Sequence, residues 1–239
     1  MPAWNEASGI GEFLNEIHEA FTGVEHSFVV VDDASTDNTV EVLGRLQAEG
    51  LPLHIQRNPG NMGHGPSTVN ALRTGHKSGS GTVIALDGDG QFLGSDIRHC
   101  YESFLESEAQ IVEGVRTRST DPLYRKVTSF ATRFLVWTSC GSFPRDANTP
   151  LRVYRAEVLE KLLDHLPEQS LTPNLMISSI VRVKKLKLLS VEVSFIDRRG
   201  SNPQSTSWGR SKSYLPSKRF VVFCIKATRS WLRFNPRSK

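Results

Sequence analysis

Helix-like and strand-like segments alternate through the first hundred residues of the chain. Segment 6–21 places apolar side chains at helical spacing, and 27–31 is a short β-branched run typical of a buried parallel strand. The alternation continues through helix-like 35–50 and 65–79 and strand-like 81–87. This order predicts β-α-β units, and therefore an α/β fold with a mostly parallel sheet flanked by helices.

Composition limits the class of protein. No segment approaches the roughly 18 consecutive apolar residues that a membrane-spanning helix needs. The first residues, MPAWNEASG, have neither the basic nor the apolar part of a secretory signal. Cys100, Cys140 and Cys224 are far apart and form no disulfide or zinc pattern. We therefore expect a cytoplasmic protein.

Charge is unevenly distributed along the chain. Residues 198–239 contain eleven Lys and Arg and no Asp or Glu, whereas residues 1–197 contain 18 basic and 25 acidic side chains. A basic end of this kind attracts the phosphates of lipids, substrates or nucleic acids, unless it is simply a solvated tail. We expect one folded domain over 1–197 and a basic C-terminal segment over 198–239.

The end of the basic segment has the pattern of an amphipathic helix. Laid on a helix, residues 217–234 place their basic side chains within about 100° of one another, opposite a set of apolar side chains. The basic set is Lys218, Arg219, Lys226, Arg229 and Arg233, and the apolar set is Phe220, Phe223, Cys224, Ala227, Trp231 and Phe234. The apolar face either lies on an anionic membrane surface or packs on the folded domain, and the sequence leaves both alternatives open.

The most informative motif is IALDGDGQF at residues 84–92. A strand-like run ends here at Asp87 and Asp89, and Gln91 follows. The spacing excludes an EF-hand, which requires Gly at the sixth loop position and Glu at the twelfth. Ligands of open parallel sheets bind beyond the carboxyl ends of the strands, so we expect the aspartates after 27–31 to lie near this pair. Crowded carboxylates need a compensating cation, and oxygen ligands suit Mg²⁺ or Mn²⁺.

Two glycine-rich phosphate-binding motifs do not fit. Segment 60–67 is similar to a P-loop, but Pro66 stands where that motif requires lysine. Gly63 and Gly65 lack the third glycine of the dinucleotide-binding fingerprint. The remaining interpretation is a nucleoside diphosphate that is held through a metal ion.

Seven motifs occur in one order along the chain and resemble those of the inverting family 2 glycosyltransferases, which have the GT-A (Rossmann-like) fold. They are PAWNEA, VVVDDASTDNT, NPGNMGHGPSTVNAL, ALDGDGQF, VEGVRTRSTDPLYRKVTS, DANTPLRVYR and VEVSFIDRRG. Within the family the chain is similar to the polyprenyl-phosphate branch, typified by dolichyl-phosphate mannose synthase. The resemblance implies an enzyme that transfers a sugar from a nucleotide-diphosphate sugar to undecaprenyl or dolichyl phosphate, with Mg²⁺ or Mn²⁺.

The resemblance implies a nucleotide site near the start of the chain. Its expected residues are Pro2, Trp4, Asn5 and Glu6. Trp4 stands where the family usually has tyrosine, which keeps an aromatic face and removes a hydroxyl. Asp33 is expected to hydrogen-bond the base, whereas Asp32 is expected to brace the turn.

The resemblance also implies a reaction centre that combines a metal motif with arginines. The expected metal ligands are Asp87, Asp89 and Gln91, and the expected phosphate-binding arginines are Arg116, Arg118, Arg125, Arg198 and Arg199. Asp89, Arg116 and Arg125 are the expected catalytic residues, because the cation and the arginines neutralise phosphate charge. The sequence does not decide whether Arg198 or Arg199 points inward.

Two other functions remain open. The first is a family 2 glycosyltransferase that acts on a sugar hydroxyl. A lipid phosphate is already an anionic nucleophile, whereas a sugar hydroxyl needs a base to take its proton, and Asp146 is the candidate for that base. The family's apolar strand before its first motif is missing here, because Met1 directly precedes Pro2. Strand backbone groups left unpaired and buried cost about 1–3 kcal/mol each. We therefore expect either an upstream start or an inactive module that binds nucleotide sugar or anionic lipid.

The expected partners follow from these interpretations. They are a nucleotide-sugar donor, a polyprenyl phosphate and the inner face of a membrane, with a membrane protein as a further candidate and nucleic acid as the least favoured. Neither the nucleotide nor the sugar is fixed by a motif: GDP-mannose, UDP-glucose and modified UDP sugars all remain candidates.

Overall fold

The computed structural model describes residues 1–117, 123–200 and 218–237. The strands are β1 (Pro2–Ala3), β2 (Phe28–Asp32), β3 (Leu53–Arg57), β4 (Thr82–Ala85), β5 (Ile111–Thr117), β6 (Arg152–Arg155) and β7 (Leu188–Ser194). The helices are α1 (Ile10–Ala20), α2 (Thr39–Ala48), α3 (His64–Lys77), α4 (Gly94–Glu106), α5 (Leu123–Cys140), α6 (Ala156–Leu163), α7 (Pro173–Val183) and α8 (Lys218–Arg233).

The strands form two adjoining groups. One has the order β1-β2-β3 with parallel pairing throughout, and the other has the order β4-β6-β5-β7. In the second group β5 and β7 are parallel, whereas β6 runs antiparallel to both of its neighbours. The predicted α/β fold with a mostly parallel sheet and flanking helices is confirmed. The antiparallel strand β6 was not expected from the sequence.

The first strand is short, as the sequence suggested, and it joins the two groups. Its residues Pro2 and Ala3 pair with Val31 and Asp32 of β2. On its other side the N–H of Gly88, which follows β4, donates a hydrogen bond to the carbonyl oxygen of Pro2 at 3.1 Å. The carboxyl ends of β1, β2 and β4 therefore lie next to one another.

Two clusters of buried apolar side chains form the core. The first joins α1, α2 and α4 to the sheet, with Phe13, Leu43 and Phe92 fully buried. The second lies around α6 and α7 and includes Trp231 of α8, which is 6% exposed. The sequence left open whether the apolar face of the C-terminal helix lies on a membrane or packs on the folded domain. Trp231 packs on the folded domain.

The described residues contain no helix that is both long enough and apolar enough to cross a membrane. Cys100, Cys140 and Cys224 are all free thiols, as their spacing predicts.

Candidate active site

Asp33 fastens the loop after β3 to the end of β2. Its Oδ1 accepts hydrogen bonds from the Asn58 side-chain amide at 2.9 Å and from the Met62 N–H at 2.8 Å. Its Oδ2 accepts a third hydrogen bond from the Gly63 N–H at 2.9 Å. Asp33 thus holds the glycine-rich loop against the carboxyl edge of the sheet, and its contact with a nucleotide base remains a prediction.

The turn at residues 4–6 is held by the loop after β2. Asn5 has a left-handed backbone with φ 55°, a conformation that asparagine tolerates, and its N–H donates to Ser35 Oγ at 2.9 Å. The N–H of Glu6 donates to Thr39 Oγ1 at 2.9 Å. Asp32 braces the same loop, as expected, because both of its oxygens accept the N–H of Ser35 at 3.2 Å.

Three carboxylates and one arginine meet where β1 and β4 end. A guanidinium nitrogen of Arg198 lies 3.3 Å from Glu6 Oε1 and 3.3 Å from Asp89 Oδ2. Burial raises the pKa of Glu6 to about 8; Arg198 opposes this rise, while Asp89, Asp87 and a further carboxylate add to it. Burial and the neighbouring Asp87 also raise the pKa of Asp89. Arg198 therefore offsets only part of the cost of keeping Glu6 and Asp89 charged at this buried position.

The donor set at Asp87 and Asp89 fits a divalent cation. Asp87 Oδ1 is buried and lacks a hydrogen-bond partner among the described residues, and the ring nitrogen of His64, an exposed side chain, lies 3.6 Å from it. A buried carboxylate oxygen without a donor, next to a second carboxylate with a raised pKa, matches the oxygen chemistry that Mg²⁺ and Mn²⁺ select. Within the described ranges no three His, Cys, Asp or Glu side chains are placed to hold a metal by themselves. A cation here would therefore need further ligands, such as the donor's phosphates.

Packing explains the two glycines that separate and follow these aspartates. A Cβ on Gly88 would lie 2.8 Å from the carbonyl oxygen of Pro2, too close to permit any side chain beside β1. Gly90 has φ 68°, and a Cβ there would lie 2.7 Å from the side chain of Arg199. The D-G-D-G pattern therefore lets the loop pass between β1 and the 198–199 segment.

The structure distinguishes the two arginines that the sequence could not separate. Arg198 points inward to the acidic cluster. Arg199 turns towards α1 instead: its Nε donates to the Gly90 carbonyl at 3.1 Å and its NH1 to Glu12 at 2.8 Å, and it also pairs with Glu16. Arg199 thus fastens α1 to the loop of residues 87–90, and a ligand contact of Arg198 remains a prediction.

Arg116 lies at the end of β5 in a two-pronged ion pair. Its Nε lies 2.7 Å and its NH2 3.0 Å from the two oxygens of Asp146, and NH2 also donates to the Asn148 carbonyl at 3.2 Å. Its guanidinium lies 5.3 Å from the centre of the Phe195 ring. Burial alone would lower the pKa of Arg116, but Asp146 and the acidic pair raise it. Arg116 is therefore a fixed positive charge near the acidic cluster.

The other predicted residues are placed as follows. Pro2 is buried in β1 and Trp4 is half-buried in the turn that follows. The side-chain amide of Gln91 donates a hydrogen bond to the Ile196 carbonyl at 3.2 Å, so it ties the loop after β4 to the segment after β7. Arg118 lies outside the described residues. Arg125 falls in α5, and its side chain lies outside the described part. The ligand contacts of all of them remain predictions.

Asn58 was missed by the sequence analysis. It is buried, and its side-chain amide donates both to Asp33 and, at 2.9 Å, to Ser67 Oγ in the first turn of α3. It therefore couples the loops after β2 and β3 to the first turn of α3. Its position directly after a predicted strand was the available signal.

The comparisons with known proteins decide the family. The protein-family model described as "Glycosyl transferase family 2" matches residues 1–168 of the chain. The chain is a family 2 glycosyltransferase. The seven motifs of the sequence analysis resembled this family, and that identification is confirmed.

Named relatives of this glycosyltransferase include two that act on lipid phosphates. A UDP-N-acetylglucosamine–dolichyl-phosphate N-acetylglucosaminyltransferase from Methanococcus voltae is 23% identical over 70% of this chain and 72% of its own length. An undecaprenyl-phosphate 4-deoxy-4-formamido-L-arabinose transferase from Klebsiella pneumoniae is 24% identical over 84% of this chain and 61% of its own length.

A solved structure supports the fold of the glycosyltransferase. Glucosyl-3-phosphoglycerate synthase from Mycobacterium tuberculosis, in complex with Mn²⁺, UDP and glucosyl-3-phosphoglycerate, superposes with a TM-score of 0.66 at 16% identity. The alignment covers 100% of this chain and 79% of that one.

Proposed function

We propose that this glycosyltransferase moves a sugar from a nucleotide-diphosphate sugar to a polyprenyl phosphate at a membrane surface, with inversion at the anomeric carbon and with Mg²⁺ or Mn²⁺. The observation that carries the choice of acceptor is the engagement of Asp146, whose two oxygens both pair with Arg116, at 2.7 and 3.0 Å. The two relatives that use dolichyl and undecaprenyl phosphates support the same acceptor class.

An acceptor hydroxyl would need a carboxylate base to take its proton. Asp146 is committed to Arg116, and the raised pKa of Glu6, about 8, favours its protonated form at neutral pH. A phosphate acceptor needs no base, since its oxygen is already anionic. It needs fixed positive charge instead, which Arg116 and Arg198 offer beside the acidic pair.

The proposed reaction balances without a proton transfer. An oxygen of the lipid phosphate forms the bond to the anomeric carbon, and the bond from that carbon to the diphosphate breaks, so the nucleoside diphosphate leaves with its electrons. A divalent cation held by Asp87 and Asp89 would neutralise charge on the leaving diphosphate. Arg116 orients phosphate through its fixed guanidinium. Arg198, which bridges Glu6 and Asp89, would pair with the donor's phosphates when the donor is bound.

A donor screen tests the proposal. The full chain is incubated with GDP-mannose, UDP-glucose or UDP-N-acetylglucosamine, a water-soluble short-chain polyprenyl phosphate, and Mg²⁺ or Mn²⁺. We expect one donor to yield a sugar–phosphate–lipid product and nucleoside diphosphate, and we expect Asp89→Ala to abolish both. Metal-dependent nucleotide binding without transfer from any donor would favour the inactive binding module instead.

A pair of variants separates the lipid-phosphate acceptor from a hydroxyl acceptor. If Asp146 only positions Arg116, then Asp146→Asn and Arg116→Lys lose activity to a similar extent, up to about a hundredfold, and the pH–rate profile keeps its shape. If Asp146 is a general base, Asp146→Asn loses up to about 10⁴-fold and the acidic limb of the profile disappears. The second pattern would overturn the proposed acceptor.

A further inference from the structure

Helix α5 turns an apolar stripe away from the core. Val127, Phe130, Phe134 and Trp137 are 61%, 60%, 44% and 44% exposed. Their spacing puts them on one side of the helix. Val136, on the opposite side, is fully buried against the domain. The helix is therefore anchored by one face and presents a second apolar face outward.

The exposed aromatic rings on this face pack against one another. The Phe130 ring centre lies 6.4 Å from that of Phe134 and 5.9 Å from that of Phe143, and Phe134 lies 5.4 Å from Trp137. The guanidinium of Arg133 lies 4.5 Å from the Phe143 ring centre. The rings thus form one continuous patch with a cation at its edge. Scattered single apolar residues are ordinary at a surface, but a contiguous patch indicates an interaction site.

Helix α8 also exposes an aliphatic face. Val221, Val222, Ile225 and Leu232 are 44%, 51%, 48% and 76% exposed, whereas Trp231 is held in the core. The outward side of α8 is therefore not the aromatic side that the sequence suggested as a membrane anchor. The aromatic Trp231 fixes the helix to the domain, and the aliphatic residues face out.

The two helices meet at their C-terminal ends. The side chain of Arg237, just after α8, donates to the Ser139 carbonyl of α5 at 3.3 Å. Cys140 and Phe234, one from the end of each helix region, pack against the same core cluster. The C-terminal ends of α5 and α8 therefore lie next to each other.

The charge of these helices selects the partner. Together α5 and α8 contain eight Lys and Arg and no Asp or Glu, and Lys126, Lys226 and Arg229 are exposed. Exposed aromatic and aliphatic side chains flanked only by cations match the interface of an anionic bilayer. We propose that the outward faces of α5 and α8 form one membrane-docking surface for anionic lipid. This inference rests on the proposed function, because it places the lipid acceptor's membrane against a specific face of the enzyme.

Vesicle partition of the full chain tests the surface. The probes are vesicles of phosphatidylcholine with and without phosphatidylglycerol. We expect Phe130→Ser/Phe134→Ser/Trp137→Ser to weaken partition at least about tenfold, because apolar area is lost from the interface. The matched control is Leu105→Ser, which removes a residue of equal exposure, 60%, from α4 between glutamates, and it should leave partition unchanged. Equal binding by the triple variant and the wild type overturns the proposal.

The cations are tested separately. Lys126→Gln/Lys226→Gln/Arg229→Gln should weaken partition about fivefold for each charge removed on the anionic vesicles, with no change on neutral ones. A milder variant, Trp137→Phe, keeps an aromatic side chain and tests contact with lipid directly. Quenching of tryptophan fluorescence by brominated lipid should be weaker in this variant than in the wild type, because Trp137 no longer contributes to the quenched signal. Unchanged quenching in this folded variant would refute docking through α5.

Other occupants of the surface give different results. A second copy of the chain would appear as a concentration-dependent dimer in light scattering that the triple serine variant dissolves while vesicle binding persists, and this result would overturn the proposal. Docking and catalysis are separable as well. The triple variant should keep transfer to the soluble short-chain acceptor and lose transfer to a long-chain acceptor held in vesicles. A wild type that transfers to neither acceptor but still docks refutes the proposed function alone.

Discussion

Glu6 makes the stability of the metal-free protein depend on pH in an unusual direction. Its pKa is raised from 4.5 to about 8, chiefly by burial. The folded state therefore keeps the proton up to about pH 8, while the unfolded chain releases it near 4.5. Between these values the unfolded state binds fewer protons, so stability falls as pH rises. At about 1.4 kcal/mol per pH unit, the difference between the two pKa values limits the loss to about 5 kcal/mol.

The perturbation is Glu6→Gln, which stays neutral at every pH. Near pH 4 the variant and the wild type should have similar free energies of unfolding, because Glu6 is then largely protonated in both the folded and the unfolded states. Towards pH 9 the variant should become the more stable of the two, by up to about 5 kcal/mol. Urea denaturation in EDTA across this pH range measures the free energy of unfolding of the variant and of the wild type. The other titrating groups contribute equally to both proteins and cancel in the difference. The control is Glu106→Gln on the exposed side of α4. A difference between Glu6→Gln and wild type that stays flat with pH would refute the reasoning.

Four further variants probe packing and charge. Gly65→Ala would put a Cβ 2.1 Å from the Ser170 carbonyl oxygen and should destabilise the protein by about 1–3 kcal/mol or more. Gly44→Ala, with open space around it, should stabilise α2 by about 1 kcal/mol. Thermal melts compare the two variants with the wild type. Trp231→Ala should cost about 3–5 kcal/mol if α8 is an integral part of the domain, and an unchanged melting temperature would contradict that packing. Arg198→Gln should tighten Mn²⁺ binding in the absence of nucleotide, because the cation no longer competes with the guanidinium that pairs with Asp89. A titration followed by electron paramagnetic resonance measures the affinity, and an unchanged affinity would show that Arg198 is not a competitor.

The local pattern was sufficient for the repeating part of the fold. The alternation through the first hundred residues predicted strands and helices because helically spaced apolar side chains, such as those of α1, alternate with short strand-like runs, such as the buried FVVVD of β2. Strand β6 was missed because its four residues, RVYR, run directly into α6. Its Arg152 is fully buried through hydrogen bonds to Asn174 and Ser178, which only the tertiary fold supplies.

The sequence named candidate site residues but could not give their pairings. Asp87 and Asp89 were predicted because they follow a strand, Arg116 was implied by the family resemblance, and the structure brings all three near one another, while their roles remain predictions. The orientation of Arg198 could not be read from the sequence, because it depends on the turn that fixes Arg199 against α1. The engagement of Asp146 was equally hidden, since thirty residues separate it from Arg116.

The join between the two strand groups has a consequence for ligand binding. Glu6 and Asp33 belong to the side built on β1-β2-β3, and the acidic pair follows β4 on the other side. A donor that contacts residues of both strand groups would stabilise the junction between them, which the short strand β1 forms. Donor binding should therefore slow amide hydrogen exchange along β2 and β4 and reduce proteolytic cleavage between them.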